Sequence, residues 1–237
     1  MLVAAAVCPC PPLLVAEVAA GAAHELDAAR TACADALGVL AAARPDRLVV
    51  VGAAGSGGSG AYPEGAPGSF RGFGVDVDVR LGTAGGARPA RVLPPSLSVA
   101  AWLLDRVRWA DAPVEGLGVD ERLSPERCAH TGRELAARAG RTALLVMADG
   151  SACRTLKAPG YLDERAASFD AGVAGALAAA DTAALKALDV SLAYELKAAG
   201  RAPWQVLAGA AEGAGLAGEL LYEDAPYGVG YFVATWS

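Results

Sequence analysis

Histidine is almost absent from this sequence, with two residues in 237, His24 and His130. Histidine is the side chain most often used for proton transfer and metal binding near neutral pH, so its scarcity restricts the available chemistry. A site that needs three imidazoles is excluded by counting. Both histidines fall in segments with a helical pattern, and neither has a second histidine at ligand spacing. We interpret both as packing or surface residues.

A surplus of basic residues is also lacking. Lysine and arginine total 20 against 26 for aspartate and glutamate, which gives a formal net charge of −6, and the two signs are interspersed along the chain. Proteins that bind nucleic acids usually carry a clustered basic surface. We therefore predict no nucleic-acid partner.

Long hydrophobic segments are missing as well. The first sixteen residues, MLVAAAVCPCPPLLVA, carry no charged side chain, but they lack the basic start of an export signal and contain Pro9, Pro11 and Pro12. Proline breaks the helix that an export signal or a membrane span would need. No other window approaches the apolar length of a span, about twenty residues. We predict no membrane association.

Paired cysteine motifs are the last notable absence. The five cysteines are odd in number and form neither a CxxC pair nor a regular framework. This pattern indicates a reducing compartment rather than a disulfide-stabilised exported protein. The expected location is the cytoplasm.

Apolar runs alternate with amphipathic segments through most of the chain. This alternation predicts an α/β fold, because a strand followed by a helix and a second strand forms a parallel pair with a right-handed crossover. We expect a single domain over residues 1–237, a three-layer sandwich with a central, mostly parallel or mixed sheet flanked by helices. The predicted strands include Leu2–Val7, Arg47–Val51, Val114–Val119 and Ala143–Met147, and the predicted helices include Ala20–Ala43, Leu97–Val107 with Ser96 as N-cap, and Ser124–Ala139.

Two segments resemble ligand motifs but have simpler interpretations. Gly52–Ser69 is rich in glycine, serine and proline, and we predict a loop. Within it, Gly55–Gly60 matches GxGxxG, but prolines rather than a helix follow, so we do not assign a phosphate loop. Phe73–Leu81 alternates apolar and charged residues, which predicts a strand with one solvated face. Asp76 and Asp78 lie on that face, and solvation explains them more simply than metal binding.

The predicted functional centre is Ala143–Asp170. Its opening apolar run ends at Asp149, Gly150 and Ser151, and a helical pattern resumes from Leu162. A buried strand that ends in polar residues delivers side chains to the rim of an open α/β sheet, where ligands usually bind.

The order of these segments resembles the class III extradiol ring-cleavage dioxygenase superfamily, of the catalytic-subunit type, which includes Memo-like relatives. Four matches carry the resemblance: AAAVCPCPPLLVAEV, LVVVGAAG, MADGSACR followed by APGYLDERAASFD, and AAGRAPWQVLAGA followed by YEDAPYGVGYFVA. The resemblance implies an α/β fold with a central sheet. Active members hold ferrous iron with two histidines and a glutamate, and they use a further histidine as an acid and base.

The chemical positions of the family are not retained in this sequence. The first histidine falls on Cys10, the second on about Ala54, the third on Ala152 or Cys153, and the glutamate on about Ala198. Alanine can neither ligate a metal nor move a proton, so the resemblance implies a degenerate metal site and no resident cofactor.

The scaffold positions of the family motif survive better. Asp149, Ser151, Arg154, Tyr161, Phe169 and Asp170 all match it. The resemblance therefore implies a pocket without its metal, whose candidate lining is Cys10, Asp149, Ser151, Cys153, Arg154, Tyr161 and Tyr227. A structural role stays open for several of them: Asp149 and Ser151 could cap a turn, and Arg154 and Asp170 could form an ion pair.

Several functions remain open at this point. The leading one is a catalytically degenerate relative that binds an unknown small molecule or a partner at the old cleft. A second is an enzyme with replaced chemistry, in which Cys8, Cys10 and Cys153 bind zinc or copper or one of them acts as a nucleophile. An oxidoreductase of the dioxygenase class with a differently built site and a structural role as a homo-oligomer or partner subunit are the others.

Overall fold

Seven strands form one sheet in the computed structural model, which describes residues 1–55, 57–83 and 91–237. The strands of the chain are β1 (Leu2–Cys8), β2 (Arg47–Ala54), β3 (Gly60–Tyr62), β4 (Pro67–Ser69), β5 (Asp78–Arg80), β6 (Val114–Asp120), β7 (Thr142–Met147), β8 (Gly218–Asp224) and β9 (Tyr231–Trp236). The helices are α1 (Ala16–Ala19), α2 (Asp27–Ala42), α3 (Pro95–Arg106), α4 (Pro125–Ala137), α5 (Arg165–Ala178), α6 (Thr182–Lys186), α7 (Val190–Glu195) and α8 (Arg201–Ala210).

The sheet has the order β3-β6-β2-β7-β1-β9-β8. Its four central strands, β6, β2, β7 and β1, run parallel, whereas β3 and β9 run antiparallel to their neighbours at the two sides. Strands β4 and β5 form a separate two-stranded sheet. All four parallel strands end at the same edge, and the residues that follow them are brought together there.

Two hydrophobic cores cover the two faces of the sheet. Helices α2 and α3 pack on one face, and α4, α5 and α8 pack on the other. Successive residues of β7 alternate between the cores: Leu145 belongs to the first and Leu144 to the second. A strand buried on both faces is apolar throughout rather than alternating, which is the pattern of Ala143–Met147. The predicted α/β sandwich with a mixed, mostly parallel central sheet is confirmed.

Helices α4 and α8 approach each other closely because each has a glycine at the contact. A Cβ atom added to Gly132 would lie 2.0 Å from the Val206 carbonyl oxygen, and one added to Gly209 would lie 2.2 Å from the Ala129 carbonyl oxygen. Only hydrogen fits at these two positions. Every residue of α8 is buried, so this helix is fixed between α4 and the sheet.

The predicted elements differ from the structure mainly at their ends. The helix predicted over Ala20–Ala43 begins with a 3₁₀ segment, and its α-helical part starts at Asp27. Gly52–Ser69 is not a continuous loop, because β2 extends to Ala54 and β3 and β4 lie inside the segment; Ser56 of its glycine motif is outside the described residues. Only Asp78–Arg80 of the strand predicted over Phe73–Leu81 is paired.

The two predicted N-caps have different outcomes. Ser124 caps α4, because its hydroxyl accepts a hydrogen bond from the Arg127 backbone N–H. Ser96 is not the cap of α3, since the helix begins at Pro95 and the Ser96 hydroxyl donates to the Ala53 carbonyl oxygen at 2.7 Å.

Within the described ranges, no helix combines the length and apolar character that a membrane crossing requires.

Candidate functional site

The candidate site lies at the carboxyl edge of the central strands. Cys10 follows β1, Ala54 ends β2, and Ala152 follows β7, and these three strands are neighbours in the order β2-β7-β1. Residues far apart in the sequence are therefore delivered to one end of the sheet. This is the edge at which open parallel sheets usually bind their ligands.

The segment before α8 joins the same edge through two backbone hydrogen bonds. The Ala152 N–H donates to the Leu196 carbonyl oxygen at 2.9 Å, and the Gly200 N–H donates to the Asp149 carbonyl oxygen at 2.9 Å. Ala198 lies between these two anchored points. The edge therefore gathers all four positions that the resemblance identifies as degenerate.

Cys10 and Asp149 form the polar contact at the centre of this edge. The Cys10 N–H donates to Asp149 Oδ1 at 2.8 Å, and the Cys10 Sγ lies 3.7 Å from Asp149 Oδ2. Burial raises the pKa of Asp149 to about 6, although the hydrogen bonds from Cys10 oppose the rise. Burial, and then the charge of Asp149, raises the pKa of the Cys10 thiol, so this thiol stays protonated at neutral pH.

Ser151 and Arg154 are tied to Asp170 rather than directed at a ligand. Asp170 is fully buried and accepts bonds from the Ser151 N–H and hydroxyl, each at 2.8 Å, and from Arg154 Nη1 at 3.0 Å. A Cβ atom on Gly230 would lie 2.5 Å from Asp170 Oδ2, so the carboxylate is packed against the backbone before β9. These contacts make the group a structural anchor for the loop after β7. Arg154 and Asp170 form an ion pair, which is the structural role that the sequence left open for them beside ligand binding.

The remaining candidates, Cys153, Tyr161 and Tyr227, differ in their burial and in their contacts. The Cys153 thiol is buried and directed at the Leu196 carbonyl oxygen at 3.5 Å, and burial raises its pKa. Tyr161 is 64% exposed and has a positive φ of 64°. The Tyr227 hydroxyl donates to Glu25 Oε2 at 2.9 Å. The structure thus brings Cys10 and Asp149 into contact, and it packs the Cys153 thiol against Gly160, the residue before Tyr161, where an added Cβ would lie 2.4 Å from the sulfur.

A cavity of about 540 Å³ opens beside the degenerate position Ala198. It lies between the residue after β6, helix α7 and the first residue of α8, and its lining includes Glu121, Lys197, Ala198 and Arg201. None of the four charged residues in the lining, which are these three and Glu195, was a candidate from the sequence. Glu121 directly follows a predicted strand, which is the one sequence signal that could have identified it.

Among the described residues, neither histidine is hydrogen-bonded to Cys10 or Asp149. His24 is in the exposed 3₁₀ segment before α2, and His130 on α4 has Nε2 3.4 Å from the Glu134 carboxylate. Across the part of the chain that the structure describes, no group of three or more histidine, cysteine, aspartate or glutamate side chains is placed to hold a metal ion.

Comparisons with known proteins give a fold but no family. No protein-family model matches the chain, and no curated protein matches it. Among solved structures, the chain is similar to an uncharacterized protein, JW3007, from Escherichia coli K12, with 15% sequence identity and a TM-score of 0.52. The similarity covers 99% of this chain and 100% of that chain. At this identity the similarity shows a shared fold over the whole domain and carries no statement about activity.

Proposed function

We propose that the chain is a divergent relative of the class III extradiol dioxygenases that binds a small molecule in the cleft where active members hold iron, without iron-dependent ring cleavage. One observation carries the proposal. Cys10, Ala54, Ala152 and Ala198 converge at one sheet edge, and a cavity of about 540 Å³ adjoins Ala198. Sites for small molecules usually enclose about 300–1,000 Å³, so the cavity has a suitable size.

The residues at this edge do not fit the iron site of the family. Ferrous iron in such sites needs two imidazoles and a carboxylate with open positions beside them. Three of the four corresponding side chains here are methyl groups, at Ala54, Ala152 and Ala198. The Asp149 carboxylate, which contacts Cys10, already accepts the Cys10 N–H. We therefore derive no catalytic step through iron.

Thiol chemistry is less well supported than ligand binding. A nucleophilic or metal-binding cysteine needs a thiolate, and thiolates are favoured by nearby positive charge and exposure. Cys10 instead contacts a carboxylate, and burial raises the pKa of both Cys10 and Cys153. Thiol-labelling rates measured against pH test this alternative, with slow labelling of both residues as the expected result.

The direct test of the proposal is iron loading. The purified chain is incubated anaerobically with ferrous iron, and bound iron and catechol-dependent oxygen uptake are measured against a buffer containing the same free iron. We expect no stoichiometric iron and no oxygen uptake above the buffer control. One iron per chain together with ring cleavage would refute the proposal.

The binding part of the proposal needs its own test. A small-molecule collection is screened by thermal shift, and hits are repeated on Ala198→Phe, which fills the cavity from its wall. The matched control is Ala171→Phe, which places the same ring on an exposed position of α5. Hits that are lost in the first variant and kept in the second support the cavity as the site. Hits kept equally in both variants would place binding elsewhere.

A further inference from the structure

Arg201 is a buried cation without a counter-charge. It is the first residue of α8 and is only 2% exposed, yet among the described residues no carboxylate oxygen lies within 4 Å of its guanidinium nitrogens. Its partners are neutral: Nη1 donates to the Leu123 carbonyl oxygen at 2.6 Å and to Gln205 Oε1 at 2.8 Å, and Nη2 donates to the Glu121 carbonyl oxygen. Buried charges in proteins are normally paired, because an unpaired one is costly.

The hydrogen bonds of Arg201 do not use all of its donors. A guanidinium group has five N–H donors. The three acceptors above take both Nη1 donors and one Nη2 donor, and Nε has no acceptor among the described residues. The Nε–H and one Nη2–H therefore remain for a ligand, and N–H donors of arginine form strong, charge-assisted hydrogen bonds with a carboxylate or phosphate.

Lys197 adds a second positive charge to the same cavity. It lies on the loop between α7 and α8, in the left-handed region with φ of 55°, a conformation that is uncommon for a residue with a side chain. Within the described ranges, no carboxylate oxygen lies within 4 Å of its ammonium group. The amino end of the ten-residue helix α8 also faces this side, and its dipole favours an anion.

The carboxylates that line the cavity are not paired with its two cations. Glu195 is paired with Arg165 Nη1 at 2.8 Å, a guanidinium group that it shares with Asp163. Among the described residues, Glu121 forms no ion pair with Arg201 or Lys197 within 4 Å, although all three line the cavity. The lining therefore holds two positive and two negative side chains, and neither of the positive ones has a carboxylate partner among the described residues.

We infer that the cavity beside Ala198 binds an anionic small molecule, whose carboxylate or phosphate group contacts Arg201 and Lys197 and whose apolar part lies against Val190 and Ala193. The inference rests on the proposed small-molecule function and names the chemical class of its ligand. Val190 and Ala193 form the wall of the cavity that α7 contributes. Positive charge at one end and aliphatic side chains along α7 select a compact amphiphilic anion over a neutral ligand of the same shape.

Three matched probes test the inference on the full chain. Benzoate carries a carboxylate, phenyl phosphate carries a phosphate, and benzamide is a neutral analogue of benzoate. Binding is measured by calorimetry and by thermal shift. We expect at least one of the two anions to bind and benzamide to bind at least about tenfold more weakly, because a charge-assisted hydrogen bond is about twice as strong as a neutral one. The stronger of the two anions identifies the carboxylate or the phosphate as the natural group.

Substitutions then assign the binding to this cavity. Lys197→Gln removes an exposed charge without touching the core, and we expect about fivefold weaker binding of the better anion. Lys157→Gln, an exposed lysine outside the cavity lining, is the control and should leave binding unchanged. Arg201→Gln should abolish anion binding. Because that variant also loses structural hydrogen bonds, its fold is checked by circular dichroism and the conclusion depends on Lys197→Gln.

The outcomes separate this inference from the proposed function. Benzamide binding as tightly as the anions would overturn the anionic class but leave a small-molecule site at the cleft. Neither anion binding at millimolar concentration, or equal effects of Lys197→Gln and Lys157→Gln, would also overturn it. Iron-dependent ring cleavage in the loading experiment would refute the proposed function, whatever the anion measurements give.

Discussion

Replacing Asp149 with asparagine should stabilise the protein at neutral pH and have little effect in acid. The folded state raises the pKa of this carboxyl group from its ordinary value of 3.8 to about 6, chiefly through burial. A raised folded-state pKa means that the folded state favours the protonated form. Ionisation of Asp149 therefore opposes folding as the pH rises from about 4 to about 6, and the cost is constant above that range.

The magnitude follows from the same pKa. At about 1.4 kcal/mol per pH unit, the difference between 3.8 and about 6 corresponds to at most about 3 kcal/mol at pH 7. Asparagine keeps an oxygen that accepts the Cys10 N–H, and the pKa of about 6 already includes the opposing effect of the charged hydrogen bonds from Cys10. We therefore expect a gain of up to about 3 kcal/mol in the free energy of unfolding of Asp149→Asn at pH 7.

Urea unfolding at several pH values between 4 and 8 measures this effect. The difference between Asp149→Asn and the parent chain should increase from pH 4 to about pH 6 and then level off. Asp35→Asn makes the same change of charge on the exposed face of α2 and serves as the control. A loss of stability in Asp149→Asn at every pH, or a gain that does not change with pH, would refute the assignment of the raised pKa to burial.

Two further predictions concern packing and the buried carboxylate. Gly132→Ala should lower the free energy of unfolding by about 3 kcal/mol in urea titrations, because its Cβ would lie 2.0 Å from the Val206 carbonyl oxygen. Gly38→Ala, a helical glycine with no atom within 4 Å of the added Cβ, should instead stabilise by up to about 1 kcal/mol, and equal effects would contradict the crossing geometry. Asp170→Asn should cost about 3 kcal/mol in the same assay, since the amide group faces the donors of Ser151 and Arg154. A cost below about 1 kcal/mol would contradict the anchoring role.

The fold could be predicted where local pattern and burial agree. β7 is buried on both faces, so its apolar run predicted the strand to within one residue. The loop predicted over the glycine-rich segment was wrong because β3 forms only through its pairing with a distant strand. Gly60 and Tyr62 pair with Gly118 and Gly116 of β6. Glycine has low strand propensity, and local composition does not encode a pairing at that distance.

The candidate site was predictable to the extent that it depends on strand order. Cys10 and Asp149 follow strands that the parallel arrangement places side by side, and their contact spans 139 positions of sequence. Arg201 and Lys197 were missed for a different reason. Whether an arginine has a counter-charge depends on tertiary neighbours, and a positive φ at a lysine has no sequence signature. An arginine in the first turn of a helix, where the dipole disfavours it, was the one local hint.

The close crossing of α4 and α8 also determines which parts of the cavity can be redesigned. Gly132 and Gly209 fix the distance between α4 and α8. The first residue of α8, Arg201, therefore has a fixed position in the cavity wall, and substitutions there leave little room for repacking. Helix α7 has six residues and presents Tyr194 with 61% of its surface exposed. Efforts to change the size of ligand that the cavity accepts are therefore best directed at the exposed residues of α7 such as Tyr194, which leave the glycine contact intact, and not at Ala193, which belongs to the second core.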